Sequence, residues 1–82
     1  MDLSIIIINY NTSKYTINCL ESIVNTISST IVYEIVIVDN HSEINDITNL
    51  ENQVKKYNNL KLIKNSTNSG FGGGNTIGVA NA

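Results

Sequence analysis

The sequence predicts an α/β fold in three layers, a parallel sheet covered by helices. Two observations point there. Apolar, β-branched runs alternate with segments of helical periodicity, and the alternation occurs three times. The runs are continuous rather than alternating in polarity, as expected of strands buried on both faces of a parallel sheet with right-handed crossovers.

The elements follow in order. Leu3 to Asn9 reads as a strand, and Tyr10-Asn11-Thr12-Ser13 breaks it. Ser13 or Thr12 can cap the next segment, where Ile17, Leu20, Val24 and Ile27 recur at steps of three and four. That spacing predicts an amphipathic helix from Lys14 to about Ile27. Tyr33 to Asp39 is the second strand, and it stops at the turn formers Asp39-Asn40-His41-Ser42. Ser42 can cap a second helix, in which Ile44, Ile47, Leu50, Val54 and Tyr57 share a face. Lys55 and Lys56 fall in its last turn, where the helix dipole favours cations, and Asn58-Asn59 ends it. Leu60 to Lys64 is a third strand with Leu60, Leu62 and Ile63 as inward candidates. After the polar stretch Asn65 to Gly74, the segment from Asn75 to Ala82 reads as the start of a third helix.

Composition narrows the function classes. Eighty-two residues allow one domain at most, and 41% hydrophobic residues suffice for a core. A net charge of −2, with five Lys and no Arg, excludes the usual basic nucleic-acid surface. No apolar run is long enough for a signal peptide or a membrane span. A single cysteine makes neither an internal disulfide nor a zinc site, which fits a reducing compartment. Fourteen Asn and fourteen Ile, beside the missing Arg, fit an AT-rich genome and say little about function.

Open parallel sheets bind ligands outside the carboxyl ends of their strands. Three polar clusters fall there: Asn9 to Ser13, Asp39 to Ser42, and Asn65 to Gly74. Asp39 follows the apolar run Ile35-Val36-Ile37-Val38, so its carboxylate sits at the rim of the sheet. It can accept a ribose hydroxyl or the imino N–H of uracil, thymine or guanine, or act as a general base. It can equally accept backbone N–H groups of its own loop. Tyr10 can stack on a base or pack on the first helix. Gly70-Phe71-Gly72-Gly73-Gly74 can cradle a phosphate, but it satisfies neither G-x-G-x-x-G nor a Walker loop. The plainer reading is a flexible turn, or small residues that let a helix approach the sheet. His41 reads as a solvated loop residue, and Cys19, beside Leu20, as a buried structural thiol. Glu43, Asp46 and Glu51 read as the solvated face of the second helix.

Four blocks together resemble the N-terminal, nucleotide-binding half of family 2 glycosyltransferases, which have the GT-A fold. They are Ser4-Ile5-Ile6-Ile7-Ile8-Asn9-Tyr10-Asn11, Cys19-Leu20-Glu21-Ser22-Ile23, Glu34-Ile35-Val36-Ile37-Val38-Asp39-Asn40, and the stretch from Asn68 to Gly78. The last block looks most like the subset that includes dTDP-rhamnosyltransferases of cell-surface polysaccharide synthesis. The resemblance implies a nucleotide site made of Asn9, Tyr10, Asn11, Asp39, Asn40, Asn68, Gly70, Gly74 and Asn75. In it Tyr10, with Asn9 and Asn11, lies beside the pyrimidine, and Asp39 contacts base or ribose. A carboxylate suits uracil or thymine, whose N3–H it can accept, better than cytosine. Thr76 departs from the family's pattern, which usually has Asn there.

The resemblance further implies an inverting transferase that uses a dTDP- or UDP-sugar donor, a glycan or lipid-linked acceptor, and Mg²⁺ or Mn²⁺. It implies work in the cytoplasm or at the inner face of the cell membrane. The family's D-x-D metal motif and catalytic base lie beyond the glycine-rich block, and no Asp or Glu follows Glu51. Residues 1–82 are therefore expected to be one partial domain without metal ligands or a catalytic group, inactive alone. Two alternatives stand beside this reading: a non-catalytic nucleotide-binding module, and a structural α/β unit that pairs with another chain.

Overall fold

The computed structural model describes residues 2–65 together with Gly73, Gly78 and Ala82. Five elements alternate in order: strand β1 (Leu3–Asn9), helix α1 (Ser13–Thr26), strand β2 (Tyr33–Asp39), helix α2 (Ile44–Val54) and strand β3 (Leu60–Lys64). The strands form a parallel sheet of order β1-β2-β3, so each pairs with the next along the chain. The register runs Leu3 opposite Tyr33 to Asn9 opposite Asp39, and Ile35 opposite Leu60 to Asp39 opposite Lys64. This is the α/β class that the alternation predicts.

The period of two along each strand sorts the side chains onto two faces. On one face Ile35 and Ile37 pack with Leu20 of α1 and Leu50 of α2, all four fully buried. Ile5, Ile7, Ile17, Ile23, Tyr33, Val54, Leu60 and Leu62 close around them. Full burial of each aliphatic side chain stabilises by about 2 kcal/mol, so this cluster is what seats both helices on the sheet. On the other face Val36 and Val38 are also fully buried. Gly78, whose backbone is helical, lies against that face. A Cβ placed on it would run into the Ile6 Cγ2 methyl and touch Val38 Cγ2 at 3.4 Å. Helical backbone thus meets the sheet on the side opposite α1 and α2, the third layer of the predicted fold.

At the amino end of this second face Glu34 is nearly buried. It accepts the Ser4 hydroxyl at 2.9 Å and lies 4.0 Å from the Lys61 ammonium. No helix among the described residues is long and apolar enough to cross a membrane.

Several expectations need correction. Burial on both faces holds for β2, the central strand, but β1 is only half-buried along Ile5–Ile8 because no described strand covers its outer edge. Cys19 is exposed, since the helical turn of 100° per residue swings it away from the side that buries Leu20. Ile44 is 77% exposed although it shares the α2 periodicity, because it opens the helix beyond the edge of the core. Helix α2 also stops at Val54, so Lys55 and Lys56 lie past its last turn and Tyr57 outside it. The glycine-rich stretch, apart from Gly73, and the expected third helix, apart from Gly78, lie outside the described residues; Gly73 is already helical, so helical backbone occurs before the expected start at Asn75.

Candidate functional site

The carboxyl ends of β1 and β2 stop level, Asn9 beside Asp39. The chain leaves both through left-handed backbone: Asn11 has φ 52° and His41 φ 66°. Among residues with a side chain, Asn and His are several-fold enriched in that region. These two turns bring the starts of α1 and α2 together over the ends of the strands.

Asn9 is the centre of the arrangement and is fully buried. Its carboxamide nitrogen donates to Asp39 Oδ1 at 2.8 Å and to Asp46 Oδ2 at 2.9 Å, with Ser42 Oγ at 3.2 Å. Its oxygen accepts the hydroxyls of Thr16 at 2.6 Å and Thr12 at 3.3 Å. The orientation of the amide follows from this chemistry, because a flip would aim its oxygen at two carboxylates. Asp39, also fully buried, further accepts the Ser42 hydroxyl at 2.6 Å and the Ser42 N–H at 3.0 Å. Its own loop thus uses the carboxylate, as the plainest of the expectations for it has it.

The two helix starts complete each other. Neither α1 nor α2 has a side-chain cap of its own at Thr12 or Glu43. Instead Asp46 Oδ1, from the first turn of α2, accepts the N–H of Ser13, the first residue of α1, at 2.9 Å. In return Asn11, from the loop before α1, accepts the N–H of Glu43 at 2.8 Å. Ser42 Oγ accepts the Asn11 N–H at 2.8 Å, and Asn49 donates to Ser13 Oγ at 3.0 Å. Ser42 is therefore a buried link between the two loops rather than the cap of α2. No described buried side-chain nitrogen or oxygen is left without a partner.

Asp46 corrects the expectation of a solvated face. Burial pushes its carboxyl up, but hydrogen bonds from Asn9, the Ser13 amide, the Ser13 hydroxyl and Ser42 outweigh that, and it titrates below the ordinary value of 3.8. Glu43 keeps to the expected exposed face, and Glu51 pairs with Lys64 at 3.3 Å. The signal for Asp46 lay in its phase. Asp46, Leu50 and Val54 step by four and share the stripe that enters the core, so the first member stands over the sheet rim. On α1 Ser13, Thr16 and Leu20, at steps of three and four, form the corresponding stripe.

Of the residues expected to bind nucleotide, Asn9, Asn11 and Asp39 come together in one network. Asn40 is buried beside it and accepts the Asn65 carboxamide at 3.2 Å. Tyr10 stands apart from the network, 49% exposed at the rim. Asn68, Gly70, Gly74 and Asn75 lie outside the described residues. No three His, Cys, Asp or Glu side chains among the described residues converge as metal ligands would. What the site offers is a rim of backbone and a tyrosine ring, fixed from beneath by two carboxylates that share one amide.

Comparison with known proteins identifies the scaffold. Over 70 residues the chain is 37% identical to the poly(ribitol-phosphate) beta-glucosyltransferase of Bacillus spizizenii (strain ATCC 23059 / NRRL B-14472 / W23). The match takes in 85% of this chain and 11% of that protein, so the chain spans about a tenth of the relative's length. The model of the family described as "Glycosyl transferase family 2" matches residues 4–82, which takes in the loops after β1 and β2 and all of the five elements except Leu3. A parallel sheet whose first two loops interlock at the carboxyl rim, matched to that family along nearly its whole length, makes this chain a member of glycosyl transferase family 2.

Proposed function

We propose that this chain is the nucleotide-binding part of an enzyme that transfers a hexose from a nucleoside-diphosphate donor to a glycan or lipid-linked acceptor in cell-surface polysaccharide synthesis. The observation that carries the reading is the rim where the loops after β1 and β2 lock together in a family 2 chain. Ligands of open parallel sheets bind at such a rim. In this reading the Tyr10 ring stacks on the pyrimidine, with Asn9, Asn11, Asp39 and Asn40 around the base edge. The family resemblance adds Asn68, Gly70, Gly74 and Asn75 to the proposed nucleotide contacts.

Asp39 Oδ2 accepts one bond, from Ser42 N–H, which leaves it lone-pair capacity for the N3–H of uracil or thymine. Asp39 is fully buried, so this contact requires the residues over it to move aside when the nucleotide enters. The donor is therefore a dTDP- or UDP-sugar. The glycine-rich block supports rhamnose as the sugar, and the relative's printed name supports a polymer acceptor of the cell surface. The reaction proposed for the intact enzyme is direct displacement at the anomeric carbon with inversion, on the cytoplasmic side of the membrane. Mg²⁺ or Mn²⁺ would neutralise the leaving diphosphate there. The described residues do not fit a metal. The part of this chain is to bind and orient the nucleotide, and by itself it transfers no sugar.

A two-dimensional amide NMR titration of the chain with dTDP, UDP and GDP tests this. Saturable shifts centred on Tyr10, Asn11 and Asp39, stronger with dTDP and UDP than with GDP, are expected. A dispersed spectrum that ignores all three nucleotides overturns the reading. Release of dTDP or UDP from a sugar donor by the chain alone would overturn the placing of catalytic groups outside it.

A further inference from the structure

We infer that Asp46 is a positioning residue: it holds the loop at residues 10–12, which carries Tyr10, in one conformation, and so sets nucleotide affinity without touching the nucleotide. The effect on affinity rests on the nucleotide reading above; the effect on the loop does not.

A loop of three residues is bounded by Asn9 and Ser13, and Asp46 grips both. Its Oδ2 takes the Asn9 carboxamide at 2.9 Å and its Oδ1 takes the Ser13 N–H at 2.9 Å. Between these anchors Asn11 adopts left-handed backbone, φ 52°, a conformation that needs support from its surroundings. Its N–H is held by Ser42 Oγ and its side chain by the Glu43 N–H, both at 2.8 Å. These partners lie in the first turn of α2 and the two residues just before it, and Asp46 is the only one that turns a charged group on the loop. The loop is thus clamped from the start of α2 and the turn that precedes it, and its one exposed aromatic group, Tyr10, is presented in a fixed place. Ordering a loop in advance spares that entropy when a ligand binds.

Both oxygens of Asp46 face donors. Asn in its place keeps one acceptor and turns an N–H₂ group toward the other donor, so one end of the loop is pushed off its anchor while the volume stays the same. Glu keeps both acceptors but carries them one methylene further out.

The test uses the wild-type chain, Asp46→Asn, Asp46→Glu and, as a control, Glu34→Gln. Glu34 lies at the opposite end of the sheet, where its carboxylate holds Ser4. The first readout is amide hydrogen exchange without nucleotide. Asp46→Asn is expected to speed exchange at Asn11 and Ser13 at least ~10-fold beyond any change at Ile35 and Ile37, with Asp46→Glu in between and Glu34→Gln without that bias. A uniform rise across loop and sheet would mean that Asp46 only stabilises the fold, and would overturn the inference. Should Asp46→Asn lose its dispersed spectrum, Asp46→Glu carries the same comparison. The second readout is the dissociation constant of dTDP or UDP well below the melting temperature. A weakening of about 10-fold in Asp46→Asn but not in Glu34→Gln is expected. If the wild type binds and Asp46→Asn binds as tightly, the inference fails and the nucleotide reading stands. If the wild type binds neither nucleotide, that reading and the affinity claim fall together, while the exchange result still decides the role of Asp46 in the loop.

Discussion

At the scale of single residues, the site is governed by donor and acceptor matching rather than by apolar packing. Asn9 supplies the donors that two carboxylates need and the acceptor that two threonines need. Asn9→Ala would leave Asp39 with only Ser42 and take from Asp46 one of its partners. Losing hydrogen bonds to buried charged groups costs about 1.5–3 kcal/mol each, so a loss of roughly 3 kcal/mol is expected by urea denaturation. A loss under about 0.5 kcal/mol would show that the network is not what orders the rim. Asp46 adds a pH dependence with a definite sign. Its carboxyl titrates below its ordinary value of 3.8 in the folded chain, so the unfolded chain takes up that proton first as the pH falls. The stability it contributes is whole above the ordinary value and disappears as the pH drops through the folded one. Melting temperatures from pH 7 down to pH 2.5 should therefore fall less steeply in Asp46→Asn than in the wild type.

At the scale of elements, the strands were the most legible part. The bounds of β1, β2 and β3 match the sequence reading to the residue, because each strand runs one polar residue past its last apolar one before the turn formers begin. Helix phase was legible for Leu20 and Leu50, since they sit mid-helix where the stripe meets the sheet. It failed at the helix ends. Ile44 obeys the period but projects past the core, and Asp46 breaks the apolar pattern while lying on the buried stripe. A sequence period says which side a residue faces, not how far along the helix the partner surface extends. The same limit hid the exchange of caps, which depends on two helix starts being neighbours in space. Two measurements probe packing between elements. Leu20→Ala or Leu50→Ala, emptying a fully buried position, should each cost about 2–5 kcal/mol. Gly78→Ala should cost about 1–3 kcal/mol, because the added methyl meets Ile6 Cγ2 on the far face of the sheet. Ile6→Ala in the same chain should recover part of that loss, a coupling that a double-mutant cycle would read; strict additivity would mean that Gly78 and Ile6 do not touch.

At the scale of the whole molecule, the fold class and the family were readable because they rest on repetition: strand, polar loop, helix, then the same again. The chemistry of the rim was only half readable, because each loop's polar residues spend their bonds on the other loop. Residues 30 and more positions apart finish one another's helices, Asp46 for α1 and Asn11 for α2. One consequence concerns divisibility. A strand with its helix resembles a module that could be cut out or duplicated, yet here each half lacks the groups that would terminate its own helix properly, and those groups sit in the other half. Residues 1–30 and 31–82 made as separate peptides should each show little helix by circular dichroism, and should gain it together on mixing. The smallest unit that can be inherited, exchanged or grafted as working architecture is the pair, not the single strand and helix.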